Sequence, residues 1–258
     1  MMASVVITTD WVRLLVVCVF FTGAAGAVLW WARLASPRPV VRAAARAAVQ
    51  LAVVSAVITV VLASLPLTAG FLVLMAAVAT WTSAARTKTG WRGAWVGVAI
   101  LGGTVPALAA LVLSGLVPVE GIALVPVGGI LIGGAMTATT LSVRRALDTL
   151  RDRHGEFEAA LALGFTESVA VRELVRGPAG EALLPALDQT RTVGLVTLPG
   201  AFVGMLLGGA PVWQAGALQL VVLLGLLAVE AAAIAVVVEL VARGFVRRAS
   251  QQGEVRLT

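Results

Sequence analysis

The sequence predicts an all-α fold, a polytopic transmembrane helical bundle of about seven spans. Hydrophobic residues make up 60% of the 258 residues, and the mean hydropathy is +1.01. Seven apolar runs approach the roughly 20 residues that cross a hydrocarbon layer of about 30 Å. Helices are expected rather than barrel strands, because the runs are too long and too uniformly apolar for strands and a bilayer offers the backbone no outside partner.

Short polar segments separate the seven predicted spans. Residues 144–191, between the fifth and sixth spans, are densely charged and carry apolar residues at helical spacing, which predicts a cytoplasmic loop. No repeat and no low-complexity linker divides the chain, so residues 1–258 are expected to form a single membrane-spanning domain. The spans are predicted at about residues 14–32, 47–65, 68–85, 94–116, 122–143, 192–209 and 216–242.

Basic residues orient the predicted bundle by the positive-inside rule. If the N-terminus lies outside, every Lys and Arg except Arg13 falls in a segment assigned to the cytoplasm. We therefore expect the N-terminus outside, the C-terminus inside, and a multi-pass location in the cell membrane, which is the inner membrane in a bacterium. Because the basic residues lie between apolar runs, they indicate contact with membrane lipid and not with nucleic acid.

Few residues could support catalysis. The chain has one histidine, one cysteine and no tyrosine, and it contains no HExxH, CxxC or GxSxG motif, so no catalytic residue and no enzyme activity are predicted. It also lacks GxxxxGK[ST], the loop that cradles nucleotide phosphates. If nucleotide powers this protein, a separate subunit must bind ATP and Mg, and no cofactor is expected on this chain.

The cytoplasmic loop contains a motif that predicts contact with an ATPase. Residues 158–164 read EAALALG, which fits the EAAxxxG pattern of ABC-transporter permeases, where a short helix and a glycine turn insert into a cleft on the ATPase. Ala159 and Ala160 give a slim helix, Glu158 can pair with a basic rim, and Gly164 permits the change of direction. The alternative is an amphipathic helix that lies along the inner face of the membrane.

The predicted sixth span carries a proline and a stripe of glycines. Pro199 lacks an N–H group, so it removes the helical bond to the carbonyl of Leu195 and predicts a kinked helix with a free acceptor. Gly200, Gly204 and Gly208 recur every fourth residue, which is typical of close helix packing. We interpret Pro199 as a hinge. The alternative is static packing with no pathway.

The fifth span carries a similar pattern. Gly129 and Gly133 form a second stripe, with Pro126 near the outer end of the span. Spans five and six are therefore predicted to pack against each other, or against a second copy, around a translocation path. On span six only the freed carbonyl and the Thr197 hydroxyl could bind a metal ion, so the metal ligands stay unknown.

Two carboxylates lie in the predicted seventh span. Glu230 is near its middle, where a charge is costly and indicates a functional group. It could lie on a cation path or pair with a polar group such as Gln50 or Gln219. Glu239 lies close enough to the inner interface to reach water or meet Arg243.

Several segments together resemble the iron-export ABC transporter permease family, which also includes the plant aluminium-sensitivity membrane subunits. The resemblance covers about residues 42–219, and the string VGLVTLPG is its most specific element. The segments are RAAVQL at 46–51, VPVGGILIGGAM at 125–136, LALG at 161–164 and TVGLVTLPG at 192–200.

This resemblance implies an exporter built from two permeases and two cytoplasmic ATPase subunits. The implied substrate is iron or another metal ion in bacterial members and a nucleotide sugar in plant members. The chain departs from the family at Gly134, where asparagine is common, and at Ala201 and Phe202, where methionines are common. These departures remove plausible metal-binding groups.

The leading hypothesis is therefore the permease of an ABC exporter, coupled to its ATPase through residues 158–164. One rival is a secondary transporter that is driven by an ion gradient through Glu230. The other is a membrane scaffold that does not transport and recruits a partner through its loop.

Overall fold

Helices dominate the chain. The computed structural model describes residues 10–247, and ten α-helices cover most of them. Within these residues the only β-type pairing is an isolated bridge between Val193 and Thr197. The predicted all-α fold is confirmed. The helices are α1 Trp11–Trp31, α2 Arg38–Leu62, α3 Leu65–Thr87, α4 Ala94–Leu113, α5 Gly121–Asp152, α6 His154–Ala162, α7 Glu167–Gly180, α8 Leu184–Thr192, α9 Gly200–Leu207 and α10 Val212–Ala242.

Six of these helices, α1 to α5 and α10, are long and apolar enough to cross a membrane. They correspond to the predicted spans one to five and seven, so the helical membrane bundle is confirmed. The number of spans and their orientation stay predictions. Arg248 and Arg256, which the orientation assigns to the cytoplasmic tail, lie outside the described residues.

The predicted sixth span is not one helix. Helix α8 ends at Thr192, residues 193–199 are not helical, and α9 begins at Gly200. Gly194 has a φ of +82°, and Pro199 has extended backbone as the N-cap of α9. The prediction of a continuous helix kinked at Pro199 was wrong, because Gly194 and Pro199 both have backbone angles outside the helical region.

The chain divides into two units, Met1–Val60 and Val61–Thr258. In the first unit, Asp10 caps α1 by accepting a hydrogen bond of 3.1 Å from the Val12 N–H group. The turn between α1 and α2 contains Arg33 in the left-handed region, with φ of 51°. Gly26 of α1 is buried, and a Cβ atom there would lie 3.3 Å from Pro37 Cβ, which belongs to the segment between the two helices. The single predicted domain stays a prediction.

Helix α5 is the centre of the second unit, where it packs against α3, α4 and α10. Leu131 of α5, Ile100 of α4 and Val222 of α10 are buried in their shared core. The helices approach closely at glycines. A Cβ atom at Gly103 of α4 would lie 2.7 Å from the Val229 carbonyl oxygen of α10, so this crossing brings backbone against backbone.

A second core lies at the other end of α5. The helix continues as far as Asp152, beyond the predicted end of the span near residue 143. Helix α7 packs across the ends of α5 and α10, where Val175 is buried against Val143 and Val237. The charged loop predicted at 144–191 is therefore largely helical, and its amphipathic helix α7 is fixed to the transmembrane core.

Candidate functional site

A cavity of about 1120 Å³ lies between α5, α9 and α10, and Met75 of α3 and the α4–α5 connection complete its wall. Four residues of the predicted translocation path line it. They are Pro126 and Gly129 of α5 and Gly200 and Gly204 of α9. The structure therefore brings the proline-glycine faces of predicted spans five and six together around an open space.

The glycines of α9 leave space in this cavity because they carry no side chains. A Cβ atom at Gly200 or Gly204 would meet no atom within 4 Å. At Gly129 it would lie 3.0 Å from Met75 Cε. The stripe predicted for close packing is thus open to the cavity at Gly200 and Gly204, because the facing surface of α5 stands back from α9.

The wall of the cavity is almost entirely apolar. Trp213 and Gln214, at the start of α10, supply its N–H and amide groups. Pro126 lies inside α5 and cannot donate to the carbonyl of Ile122, so a residue of the wall keeps an acceptor without its helical bond. The thioethers of Met75 and Met205 are the other heteroatom-bearing side chains among the lining residues.

Gly133 does not line the cavity, and a Cβ atom there would meet nothing within 4 Å. The close approach of α5 to α10 occurs one residue later, at Gly134. A Cβ atom at Gly134 would overlap the Leu226 side chain and lie 2.8 Å from Glu230 Oε1. The role of Gly133 in a path stays a prediction, while the tight helix crossing falls on Gly134.

The loop at 193–199 contains the other predicted hinge residues. Its turn is closed by the Gly194 N–H group, which donates to the Thr197 carbonyl at 2.9 Å. Leu195 is 92% exposed. Leu195, Thr197 and Pro199 are not among the residues that line the cavity. The expected freed carbonyl of Leu195 within a kinked helix was wrong, because this residue belongs to a turn.

Glu230 is buried, with 7% of its surface exposed, and it faces Gly134 of α5. It lies eight residues beyond Val222, the last residue of α10 that lines the cavity, which corresponds to about 12 Å along the helix. Gln219 is also buried, and its Oε1 atom has no hydrogen-bond partner among the described residues. The predicted pair between Glu230 and Gln219 does not form, because about 16 Å of helix separates these positions.

The predicted coupling segment forms a short helix and a turn. Glu158, Ala159 and Ala160 lie in α6, which has no buried residue. Gly164 has a φ of +91°, a conformation that favours glycine. The Phe165 N–H group donates to the Ala160 carbonyl at 3.1 Å and closes the turn. The predicted helix and glycine turn are confirmed as geometry, and their coupling role stays a prediction.

Two ion pairs lie in the N-terminal half of α6. His154 Nε2 lies 3.3 Å from Glu158 Oε1, and both side chains are exposed. The Arg153 guanidinium donates to the Glu156 carboxylate. This hydrogen bond lowers the pKa of Glu156 from its ordinary value. Both acids of α6 thus have a neighbour within their own segment, and the exposed face of the helix remains uncovered in this chain.

The Glu239 carboxylate joins α7 to α10. Arg172 of α7 donates to its carboxylate at 2.9 and 3.2 Å, and Arg243 donates to it from the next turn of α10. The predicted meeting of Glu239 and Arg243 is confirmed. Sequence reasoning missed Arg172, which is 67 residues away from Glu239 in the chain. The sequence marks Arg172 only as a charged residue on the amphipathic helix α7, which does not identify Glu239 as its partner.

A metal centre has no obvious ligands in the described part of the chain. Residues 10–247 contain no group of three or more His, Cys, Asp or Glu side chains that could hold a metal ion. The metal ligands that the sequence left unknown therefore stay unknown.

Six helices that are long and apolar enough to cross a membrane define a multi-pass helical membrane protein. The chain belongs to the uncharacterised protein family UPF0014, whose model matches residues 11–246. This match confirms the family that the sequence motifs suggested.

Three relatives show the range of the family. The chain is 37% identical over 159 residues to Protein ALUMINUM SENSITIVE 3 of Arabidopsis thaliana, covering 60% of this chain and 58% of the relative. It is 37% identical over 152 residues to UPF0014 membrane protein STAR2 of Oryza sativa subsp. japonica, covering 58% and 53%. It is 33% identical over 112 residues to Probable iron export permease protein FetB of Escherichia coli strain K12, covering 43% of each.

These alignments are partial. The chain spans about half the length of the curated relatives it matches. No solved structure matches the chain.

Proposed function

We propose that this chain is the membrane permease subunit of an ABC-type exporter, powered by a separate cytoplasmic ATPase that binds ATP and Mg. The observation that carries the proposal is the geometry of α6 and Gly164. A slim helix with no buried residue ends in a glycine turn, and the next helix, α7, is packed on the transmembrane core. An exposed helix on a fixed base can enter a cleft on a partner and transmit its movement.

Helix α5 offers the shortest route from this segment to the cavity. It is one helix of 32 residues, with Pro126 and Gly129 in the cavity wall at one end and α6 directly after Asp152 at the other. Movement of α6 would tilt α5 as a rigid element. The second route runs through α8 and the loop at 193–199 to α9.

A second copy of the permease is part of the proposal. Irregular backbone is tolerated at membrane depth only inside protein or beside water, yet Leu195 is 92% exposed and Val196 is 76% exposed. A partner copy would cover this segment. In a Cys18→Ser background, Leu195→Cys is expected to form a disulfide-linked dimer with oxidant, and Leu113→Cys, at the exposed end of α4, should not. A strictly monomeric Leu195→Cys protein would argue against this interface.

The first substrate to test is a metal ion such as iron, because the Escherichia coli relative is named as a probable iron export permease. A nucleotide sugar is the second. Ala201 lines the cavity in place of a methionine that is common in the family, so this chain offers fewer soft ligands there than the resemblance implies.

The coupling role is tested by two valine substitutions. Gly164→Val forces a β-branched side chain into a left-handed backbone, whereas Gly155→Val, in α6, is the matched control. Both positions are exposed and open around Cβ, but only Gly164 has a positive φ. We expect Gly164→Val to abolish stimulation of the partner's ATP hydrolysis in lipid nanodiscs, and Gly155→Val to preserve it.

Normal stimulation in Gly164→Val at normal expression would disprove the coupling role. Substrate movement without nucleotide that is lost in Glu230→Gln would instead favour the gradient-driven transporter. A bound ATPase whose activity no substrate alters would favour the scaffold.

A further inference from the structure

We propose that the cavity between α5, α9 and α10 binds an amphipathic organic molecule, and that such a molecule, rather than a free metal ion, is the substrate class of this protein. The apolar part of the ligand would fill the cavity, and its polar part would lie beside Trp213 and Gln214. Binding in the cavity does not depend on the proposed permease function, whereas the role of the bound molecule as substrate rests on that function.

The chemistry of the wall excludes a bare cation as the natural occupant. Among the described residues that line the cavity there is no Asp, Glu, His, Cys, Lys or Arg. Iron and other transition metals favour imidazole, carboxylate or thiolate ligands, and a cation that leaves water must replace its hydration shell. Two thioethers, from Met75 and Met205, offer only soft and neutral donors. Glu230, the nearest buried carboxylate along α10, does not reach the wall.

The size of the cavity suits an organic molecule. Its volume of about 1120 Å³ slightly exceeds the roughly 300–1,000 Å³ typical of small-molecule pockets. The space persists because Gly200 and Gly204 carry no side chains and face no atom within 4 Å of a Cβ position. A single dehydrated ion would leave almost all of this volume unfilled.

The few polar groups lie where they could orient a ligand. Trp213 and Gln214 are exposed at the first turn of α10, so the polar end of a ligand there would keep contact with water. Ile122 lines the cavity, and its carbonyl cannot accept a helical bond from Pro126, so it is a further acceptor next to the wall. An apolar pocket with a small number of polar groups is the usual arrangement for binding an amphipathic molecule.

The test uses the full-length chain in lipid nanodiscs with a lysophosphatidylcholine that carries a diazirine on its acyl chain. We expect light to attach this probe to α9 and to the first turns of α10, with saturation and with competition by unlabelled lysophosphatidylcholine. Gly204→Leu, which fills the cavity, should lower the saturable labelling at least fivefold. Gly70→Leu is the matched control, because this exposed glycine of α3 also has no atom within 4 Å of a Cβ position and does not line the cavity.

Ala217→Leu, which narrows the cavity from α10, repeats the test if Gly204→Leu does not give a monodisperse protein. Labelling that does not saturate, or that is equal in the cavity variants and Gly70→Leu, would reflect bulk lipid and overturn the proposal. Competition by micromolar ferrous iron at the same site would overturn the exclusion of a metal ion.

Different results would reject the permease function and the organic ligand. Saturable labelling of a chain that never stimulates a partner ATPase would sustain the binding site and reject the permease function. Iron-stimulated ATP hydrolysis with unsaturable labelling would sustain the permease and reject the organic substrate.

Discussion

Helix α5 and the segment of residues 184–207 carry the same ingredients, a proline and closely spaced glycines, yet one is a continuous helix and the other is broken. Pro126 lies in α5 between Val125 and Val127, which are buried. Pro199 instead follows a turn in which Leu195 is almost fully exposed. Packing on α3, α4 and α10 holds α5 helical despite a missing hydrogen bond. The second segment has α10 as its main neighbour. With fewer neighbours, its local backbone angles decide whether it is helical.

The largest expected effect tests the packing of α5. Gly134→Leu places a side chain where even a Cβ atom would overlap Leu226. Overpacking of this kind typically costs about 1–3 kcal/mol, and we expect a loss in this range because the side chains of Leu226 and Glu230 would both have to move. Gly133→Leu, one residue earlier and open around Cβ, is the control. Thermal unfolding in detergent measures both, and equal stability of the two variants would contradict the close crossing.

An intermediate effect compares the two prolines. Pro126→Ala restores an N–H donor within a helix, so we expect a gain of stability that is a fraction of the roughly 3 kcal/mol that an interior proline costs. Pro199→Ala restores no helical bond, because this residue is an extended N-cap. It should lower stability by about 0.4–1 kcal/mol through the greater freedom of the unfolded chain. Thermal unfolding in detergent measures the stability of both variants. A Pro199→Ala variant that is more stable than the unaltered chain would mean that the segment at 193–199 is helical after all.

The smallest expected effect concerns the ion pairs of the two regions. Arg172 joins α7 to Glu239 of α10 at 2.9 Å, whereas Arg191 reaches only Asp188 of its own helix α8, at 3.6 Å. We expect Arg172→Ala to lower the melting temperature slightly and to weaken ATPase stimulation, because α7 loses a contact with α10. Arg191→Ala should change neither.

High salt should reduce the stability difference between Arg172→Ala and the unaltered chain, since exposed charges are screened. A difference that is independent of salt would mean that Arg172 acts through packing and not through its charge.

The predictions from sequence succeeded where the signal was local. Runs of apolar residues marked six helices that are long enough to cross a membrane. The motif at 158–164 marked a short helix and a turn that needs glycine, and Gly164 adopts a positive φ. Glu239 and Arg243 are one turn apart on α10, so their contact also followed from helical spacing.

The remaining features depend on distant parts of the chain. Arg172 meets Glu239 across 67 residues, and no spacing rule connects them. The tight crossing falls on Gly134 and not on Gly133 because the rotation of α5 against α10 decides which glycine faces its neighbour. Trp213 and Met75 enter the cavity wall from separate helices, and only their packing brings them together.

The sequence by itself determined that this protein is a bundle of membrane helices, that it belongs to the family UPF0014, and that residues 158–164 form a short helix and a glycine turn. Hydropathy, charge and glycine spacing act over a few residues, so they can be read along the chain. The tertiary structure decided that the segment around Pro199 is broken and that Gly200 and Gly204 face an open cavity. The reason is physical. Whether a helix persists through a proline depends on the surface that packs against the helix. Whether a glycine is in contact with another helix or faces a cavity depends on the same packing.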